Sequence, residues 1–190
     1  MIYDTIISKR TIRKFKQDKI PQDTLVKLIE AARQAPSAAN MQPLKYVIVN
    51  NSENVAKVFN EVKWAGYLAP NGNPKSGEEP TAYILILVDN DIKNSYYAHD
   101  IGASAQNIML TAFEMGIGSC WMGAIDRENI LSIADISDKK YILDTVIALG
   151  YTNQSSISED ATSDSIKYYL DGETLRVPKR KMEDILIKEI

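Results

Sequence analysis

The sequence predicts a layered sandwich of the α/β or α+β class, and three observations carry that expectation. Residues 83–89 (YILILVD) and 141–149 are apolar almost throughout, as strands covered on both faces are. Helical periodicity falls between such runs in irregular order, around roughly four or five strands. Residues 95–115 are small or apolar on nearly every side, with Ile101, Gly102, Ala103, Ala105, Ile108, Met109 and Ala112 in one stretch. A helix apolar all round is a buried one, and in a short chain it implies burial against a second subunit.

Each element follows from its local pattern. Residues 2–9 read as a short helix with Ile2 and Ile6 on one face and Tyr3 and Ile7 beside them. Pro21 opens a helix to about Arg33, in which Leu25, Leu28, Ile29 and Ala32 share a face, and Pro36 stops it. Residues 45–50 (KYVIVN) read as a strand, and Ser52 as the cap of a helix reaching Val62. Residues 66–80 carry three prolines and three glycines, the composition of a long loop of the kind that often serves as a lid. Gly116 ends the long helix, 119–122 form a short strand and 127–134 a helix. Asp171-Gly172 marks a hairpin between 167–170 and 174–177, and 181–190 close the chain as a helix.

Composition removes several function classes. The chain has 190 residues and a net charge of −3, so nothing draws it as a whole toward nucleic acid or an anionic membrane. The longest apolar run is far too short to span a bilayer, and the first residues, MIYDTIISKR, lack the pattern of a secretory signal. A cytoplasmic protein without membrane or nucleic-acid partners is expected. One histidine, His99, and one cysteine, Cys120, do not make a metal site, and no nucleotide-binding glycine motif or nucleophile elbow is present. His99-Asp100 reads as an ordinary helix face, and Cys120 as a small buried hydrophobe.

Three segments could carry chemistry. Residues 9–19 (KRTIRKFKQDK) hold six basic residues and one acidic. This is a solvated charged face, a short nucleic-acid arm, or a phosphate clamp with Arg10 and Arg13 on one side of a helical turn and the Thr11 hydroxyl beside them. Residues 36–43 (PSAANMQP) form a proline-bounded turn. Asn40 and Gln42 could also meet the N–H and C=O edge of a flat heterocycle there, with small neighbours letting it approach. Lys179-Arg180-Lys181 is a second basic cluster, and two such clusters could converge on one phosphate dianion. Trp64 and Tyr67 flank the long loop as packing residues or as a stacking lid.

In this order the segments resemble the nitroreductase family of flavoenzymes. The matching pieces are S-K-R-T-I-R-K-F at 8–15, A-P-S-A-A-N-M-Q-P at 35–43, G-I-G-S-C-W-M-G at 116–123, A-L-G-Y at 148–151 and V-P-K-R-K-M-E-D-I-L at 177–186. The resemblance implies a single domain over 1–190. It implies an α+β fold, a three-layer α-β-α sandwich with a mainly antiparallel central sheet, assembled as a homodimer with FMN at the interface. It assigns Arg10, Thr11, Arg13, Lys179 and Lys181 to the cofactor phosphate and flavin edge. It assigns Pro36, Ser37, Ala38, Asn40 and Gln42 to a loop reaching the flavin from the other subunit, and Trp121, Met122 and Gly123 to the segment passing the ring. The implied activity is ping-pong reduction of nitroaromatics, quinones or similar acceptors by NADH or NADPH. The flavin supplies the chemistry, with no catalytic side chain and no metal. Alternatives are dehalogenation or flavin fragmentation on the same fold, and a non-catalytic FMN-binding or sensor protein. Leu44 stands where many relatives have Trp, and residues 60–80 are shorter than in larger members, which leaves acceptor and nicotinamide preference open.

Overall fold

The apolar run at 83–89 becomes the buried centre of the sheet. In the computed structural model, which describes residues 1–162 and 165–190, all eight residues of β2 (Ala82–Asp89) are buried. β1 (Leu44–Val49) pairs on one side of β2, β4 (Tyr141–Tyr151) on the other, and β3 (Ile117–Met122) lies beyond β4. Every pairing in this four-stranded sheet is antiparallel.

Because strand side chains alternate, β2 feeds two cores. Tyr83, Leu85 and Leu87 point to one, which is covered by α3 (Ser52–Asn60) and α5 (Arg127–Ile133). Ile84, Ile86 and Val88 point to the other, under α2 (Gln22–Arg33) and α4 (Tyr97–Glu114). Helices on both faces of an antiparallel sheet make the expected three-layer α+β sandwich.

The N-terminal chain ties this sandwich together. After α1 (Ile2–Ser8) the backbone turns extended at Lys9 and runs along the edge strand β3. The Ile12 amide donates to the Ser119 carbonyl at 2.9 Å, and the Lys16 amide to that of Tyr151 at 2.8 Å. Gly118 and Gly150 sit opposite each other on β3 and β4. A Cβ on Gly118 would come within 2.8 Å of Ile12, and one on Gly150 within 2.8 Å of Phe15. The two glycines form a trough that only bare backbone provides, and the strap's two apolar side chains fill it.

Several local expectations are corrected. The cap of α3 is Asn51, whose side chain accepts from the amides of Glu53 and Asn54, one residue earlier than Ser52. α4 buries Ile101, Ala105, Ile108, Met109 and Ala112 within the chain, while Gly102, Ala103 and Leu110 stay half-buried, so its burial is one-sided. The C-terminal helix is only α6 (Met182–Ile185), because Ile185, Leu186, Ile187 and Ile190 are exposed and find no core within the chain to cover their apolar face. The Asp171-Gly172 turn does join a hairpin, β6 (Tyr169–Asp171) and β7 (Thr174–Lys179), with Gly172 at a φ of 58°. β5 (Ser155–Asp160) pairs parallel to β7 in this separate three-stranded sheet. Its SSISED sequence lacks the apolar alternation that announces a strand.

Replacing Gly150 with Ala forces the fully buried Phe15 aside, and should lower unfolding stability by about 1–3 kcal/mol in urea titration.

Candidate functional site

The extended strap decides which basic side chains meet. Past Lys9 the backbone is extended, and Lys9 and Arg13 both come to Cys120 while Arg10 turns back toward α1. The helical-turn pairing of Arg10 with Arg13 therefore does not form. The Arg10 guanidinium instead donates to the carbonyls of Ile7 and of Lys9, the latter at 2.6 Å, and closes the end of α1. It lines a small cavity of about 180 Å³ with Ser8 and Ile12.

Lys9, rather than Arg10, joins Arg13 beside Cys120. Its ammonium is half-buried and donates to the Met109 sulfur at 3.2 Å. Burial holds its pKa below the ordinary lysine value; the Cys120 thiol opposes that shift, and Arg10 and Lys179 reinforce it. On the same side, the Arg13 guanidinium meets Cys120, whose thiol is pushed up by burial and drawn back by Arg13 and Lys9. The Arg13 amide donates to the Gln154 side chain at 2.8 Å, which fixes the strap at this point. Lys179 closes the group from β7, so the two ends of the chain do converge. Lys181 turns to Glu183 instead, at 3.8 Å.

Among the described residues none of Lys9, Arg10, Arg13 and Lys179 forms an ion pair, whereas the adjacent Lys14 pairs with Glu78 at 3.7 Å. Lys9, Arg10 and Arg13 are half-buried and Lys179 is exposed; holding like charges partly out of water without a counter-charge is unfavourable, and a bound anion would relieve it. Basic residues carrying their own hydrogen-bond donors match a phosphate dianion.

Beside this group, β3 presents Trp121, Met122 and then Gly123. The Trp121 ring is 41% exposed while its indole N–H donates to the Thr145 hydroxyl at 2.5 Å. That hydroxyl donates onward to the Met122 carbonyl at 2.7 Å. Arg127 grips the Gly123 carbonyl at 3.4 Å and the Asp144 carbonyl at 2.9 Å. The segment is thus held stiffly with an indole face open to one side.

The Pro36–Gln42 loop is built elsewhere. Ala39, Asn40 and Gln42 all adopt positive φ, between 51° and 55°. Such angles cost non-glycine residues of order 1 kcal/mol each, so the surroundings must enforce them. Asp100, buried near the start of α4, does so: it accepts from the Ser37 hydroxyl at 2.6 Å and the Ala38 amide at 3.2 Å. The Ser37 hydroxyl in turn accepts from the Gln42 amide at 2.9 Å, and Gln42 donates its side chain to the Asn40 carbonyl at 3.1 Å. Pro36, Ser37 and Gln42 line a cavity of about 370 Å³ with Leu44, Tyr46 and Asp100.

Within one chain this loop and the cation group do not meet. Asp100 and Met109, their respective contacts on α4, are nine residues apart, or ~14 Å along the axis. Sequence reasoning paired Arg10 with Arg13 rather than Lys9 with Arg13 because it gave the strap a helical period, and it passed over Asp100 as a helix-face residue. The burial of an acid in a small-residue helix was the available signal.

Among the described residues no group of three or more His, Cys, Asp or Glu is placed to hold a metal ion, and no helix is long and apolar enough to cross a membrane. Comparison with known proteins gives a consistent picture. A protein of Archaeoglobus fulgidus, provisionally named an NADH dehydrogenase/NAD(P)H nitroreductase, is 31% identical over 155 residues, which cover 77% of this chain and 82% of that protein. A provisionally assigned nitroreductase of Desulfovibrio desulfuricans, solved in complex with FMN, superposes with a TM-score of 0.72 at 19% identity, covering 100% of this chain and 96% of the other. An NADH oxidase of Clostridium acetobutylicum, also provisionally named, superposes at 0.65 with 29% identity, over 80% of this chain and 89% of that one. The model of the nitroreductase family matches residues 6–151, which take in the strap, all four strands of the sheet and the helices on both its faces, and the chain belongs to that family.

Proposed function

We propose that this oxidoreductase holds FMN and uses NADH or NADPH to reduce nitroaromatics, quinones or similar acceptors. The observation that carries the reading is the set of uncompensated cations on one side of the strap. A relative named for NAD(P)H nitroreductase activity and a structural neighbour solved in complex with FMN support it.

Lys9, Thr11, Arg13 and Lys179 hold the phosphate end. The stiff Trp121–Gly123 segment runs beside the ring, with Lys181 further out. The Pro36–Gln42 loop, with Ala38, Asn40 and Gln42, reaches the ring from a second copy of the chain in a homodimer. The ~14 Å separation within one chain and the half-buried Gly102, Ala103 and Leu110 of α4 support that assembly. When bound, the flavin takes a hydride from NAD(P)H and delivers two electrons onward, so that NAD(P)H, a quinone and one proton give NAD(P)⁺ and a hydroquinone. Donor and acceptor take turns at one face, in ping-pong order. The protein supplies position, positive charge and exclusion of water, which is why one histidine and one cysteine suffice. A nicotinamide donor is a cytoplasmic reductant, and we place the protein in the cytoplasm.

The test is anaerobic. Purified protein supplied with FMN should gain a bound flavin spectrum that NADH or NADPH bleaches and a quinone restores. A protein that takes up no flavin would refute the reading.

Lys9→Ala removes one charged donor, worth about 1.5–3 kcal/mol, and should weaken FMN binding roughly 10- to 100-fold by fluorescence titration. Arg10→Ala should weaken it less.

The lowered pKa of Lys9 also sets a pH dependence. Only the ammonium form attracts phosphate, so FMN affinity should fall on the alkaline side before an ordinary lysine would titrate. Fold stability moves the opposite way: the unfolded lysine keeps its proton to higher pH, so folding without FMN is favoured as pH rises through the lowered value. Lys9→Arg should flatten the affinity profile.

A further inference from the structure

The buried acid Asp100 has no counter-charge. It is 4% exposed and stands in the first turn of α4. Its carboxylate accepts from neutral donors, the Ser37 hydroxyl at 2.6 Å and the Ala38 amide at 3.2 Å. Among the described residues no lysine, arginine or histidine forms an ion pair with it. Arg33 lines the same cavity of about 370 Å³, but its guanidinium pairs with Glu30 at 2.5 Å. Lys45 lines that cavity as well. The helix end and the two donors make burial of the acid tolerable, and they leave its net charge in place. The reach of that charge shows at Tyr46. Burial pushes the Tyr46 hydroxyl's pKa up, the Ser104 hydroxyl at 2.8 Å draws it back, and Asp100 adds to the rise.

Short links tie this charge to the tip of the Pro36–Gln42 loop. The Asn94 side chain donates to the Ala38 carbonyl at 3.3 Å, so Ala38 is held through its carbonyl as well as its amide. The Asn40 amide donates to the Ser37 carbonyl at 2.9 Å, which keeps the tip compact. Asn40 therefore stands within ~10 Å of the carboxylate. Its side-chain amide is exposed and makes no hydrogen bond among the described residues, so it is free to meet a ligand. A charge held out of water at such a range is felt by whatever the tip touches.

We propose that Asp100 tunes the flavin: its buried charge, brought to the ring end by the loop of a second copy, opposes the electrons that the ring gains on reduction and so holds the reduction potential low. The inference rests on the flavin and homodimer readings above. The uncompensated cations of the strap act at the phosphate end and Asp100 acts at the ring end, so opposite charges bracket the cofactor. A low potential makes the reduced ring a stronger donor and brings more reluctant acceptors within its range.

The readout is the potential of the bound flavin, taken by anaerobic titration of FMN-loaded protein against a reference dye. Asp100→Asn removes the charge at nearly constant shape. It should shift the equilibrium toward reduced flavin by roughly 3- to 10-fold, or about 15–30 mV for a two-electron couple. Ser37→Ala removes one loop bond, keeps the charge, and should move the potential far less. Lys45→Glu leaves Asp100 in place, adds a second negative charge to its cavity, and should lower the potential. A potential unchanged in Asp100→Asn, or raised as far by Ser37→Ala, overturns the proposal. Should Asp100→Asn not fold, a potential unmoved in Lys45→Glu overturns it instead. A wild type that binds no FMN, or whose flavin neither nicotinamide reduces, fails the flavin reading and takes this inference with it. An FMN-loaded wild type that sediments as a monomer leaves the flavin reading standing and overturns the tuning from a second copy.

Discussion

The passage of one extended segment across two glycines organises this molecule. Gly118 and Gly150, paired across β3 and β4, keep the sheet bare where Ile12 and Phe15 lie down on it. With those side chains seated, the segment pairs with the edge strand, Lys9 and Arg13 come to Cys120, and Arg10 turns back to the end of α1. The electrostatics follow from that placement. Had the chain stayed helical past Ser8, the period would have been 3.6 and a different set of cations would have met.

The cation group and the strained loop depend on opposite kinds of support. The cations crowd together without a counter-charge, a local instability tolerated because the strap is anchored on both sides by backbone hydrogen bonds and by packing. The loop holds three residues at positive φ because a single buried carboxylate, Asp100, anchors its first two positions. Both devices hang on α4, one near its start and one past its middle. That helix therefore fixes the distance between the two within the chain, and it does so with rigid geometry.

The legible part of this fold is the part set by short-range pattern. Residues 82–89 are apolar on consecutive positions, and that alone places them at the centre of the sheet. Gly118 and Gly150 gave no such signal by themselves, since nothing near them in sequence says what lies down on them. Which basic side chains meet at Cys120 was not legible, because it turns on whether backbone past Ser8 is helical or extended, and the partner that settles this is β3. Asp100 was obscured for the same reason: its burial is created by a loop some sixty residues earlier. At the C-terminus the pattern misled in the other direction, since an amphipathic stretch without a surface to cover has little reason to remain helical.

The strap also constrains the order in which the chain is made. Ile12 and Phe15 precede the strand and trough that receive them, completed at Ser119 and Gly150, by more than a hundred residues. Until then the N-terminal segment is apolar and cationic with nowhere to dock, a stretch that chaperones or the ribosome surface would shelter. The sandwich can close its interior from β1 onward, but its edge is sealed only by reaching back to the beginning. The placement of the strap's cations therefore depends on contacts of long sequence separation, the kind that form slowly in folding.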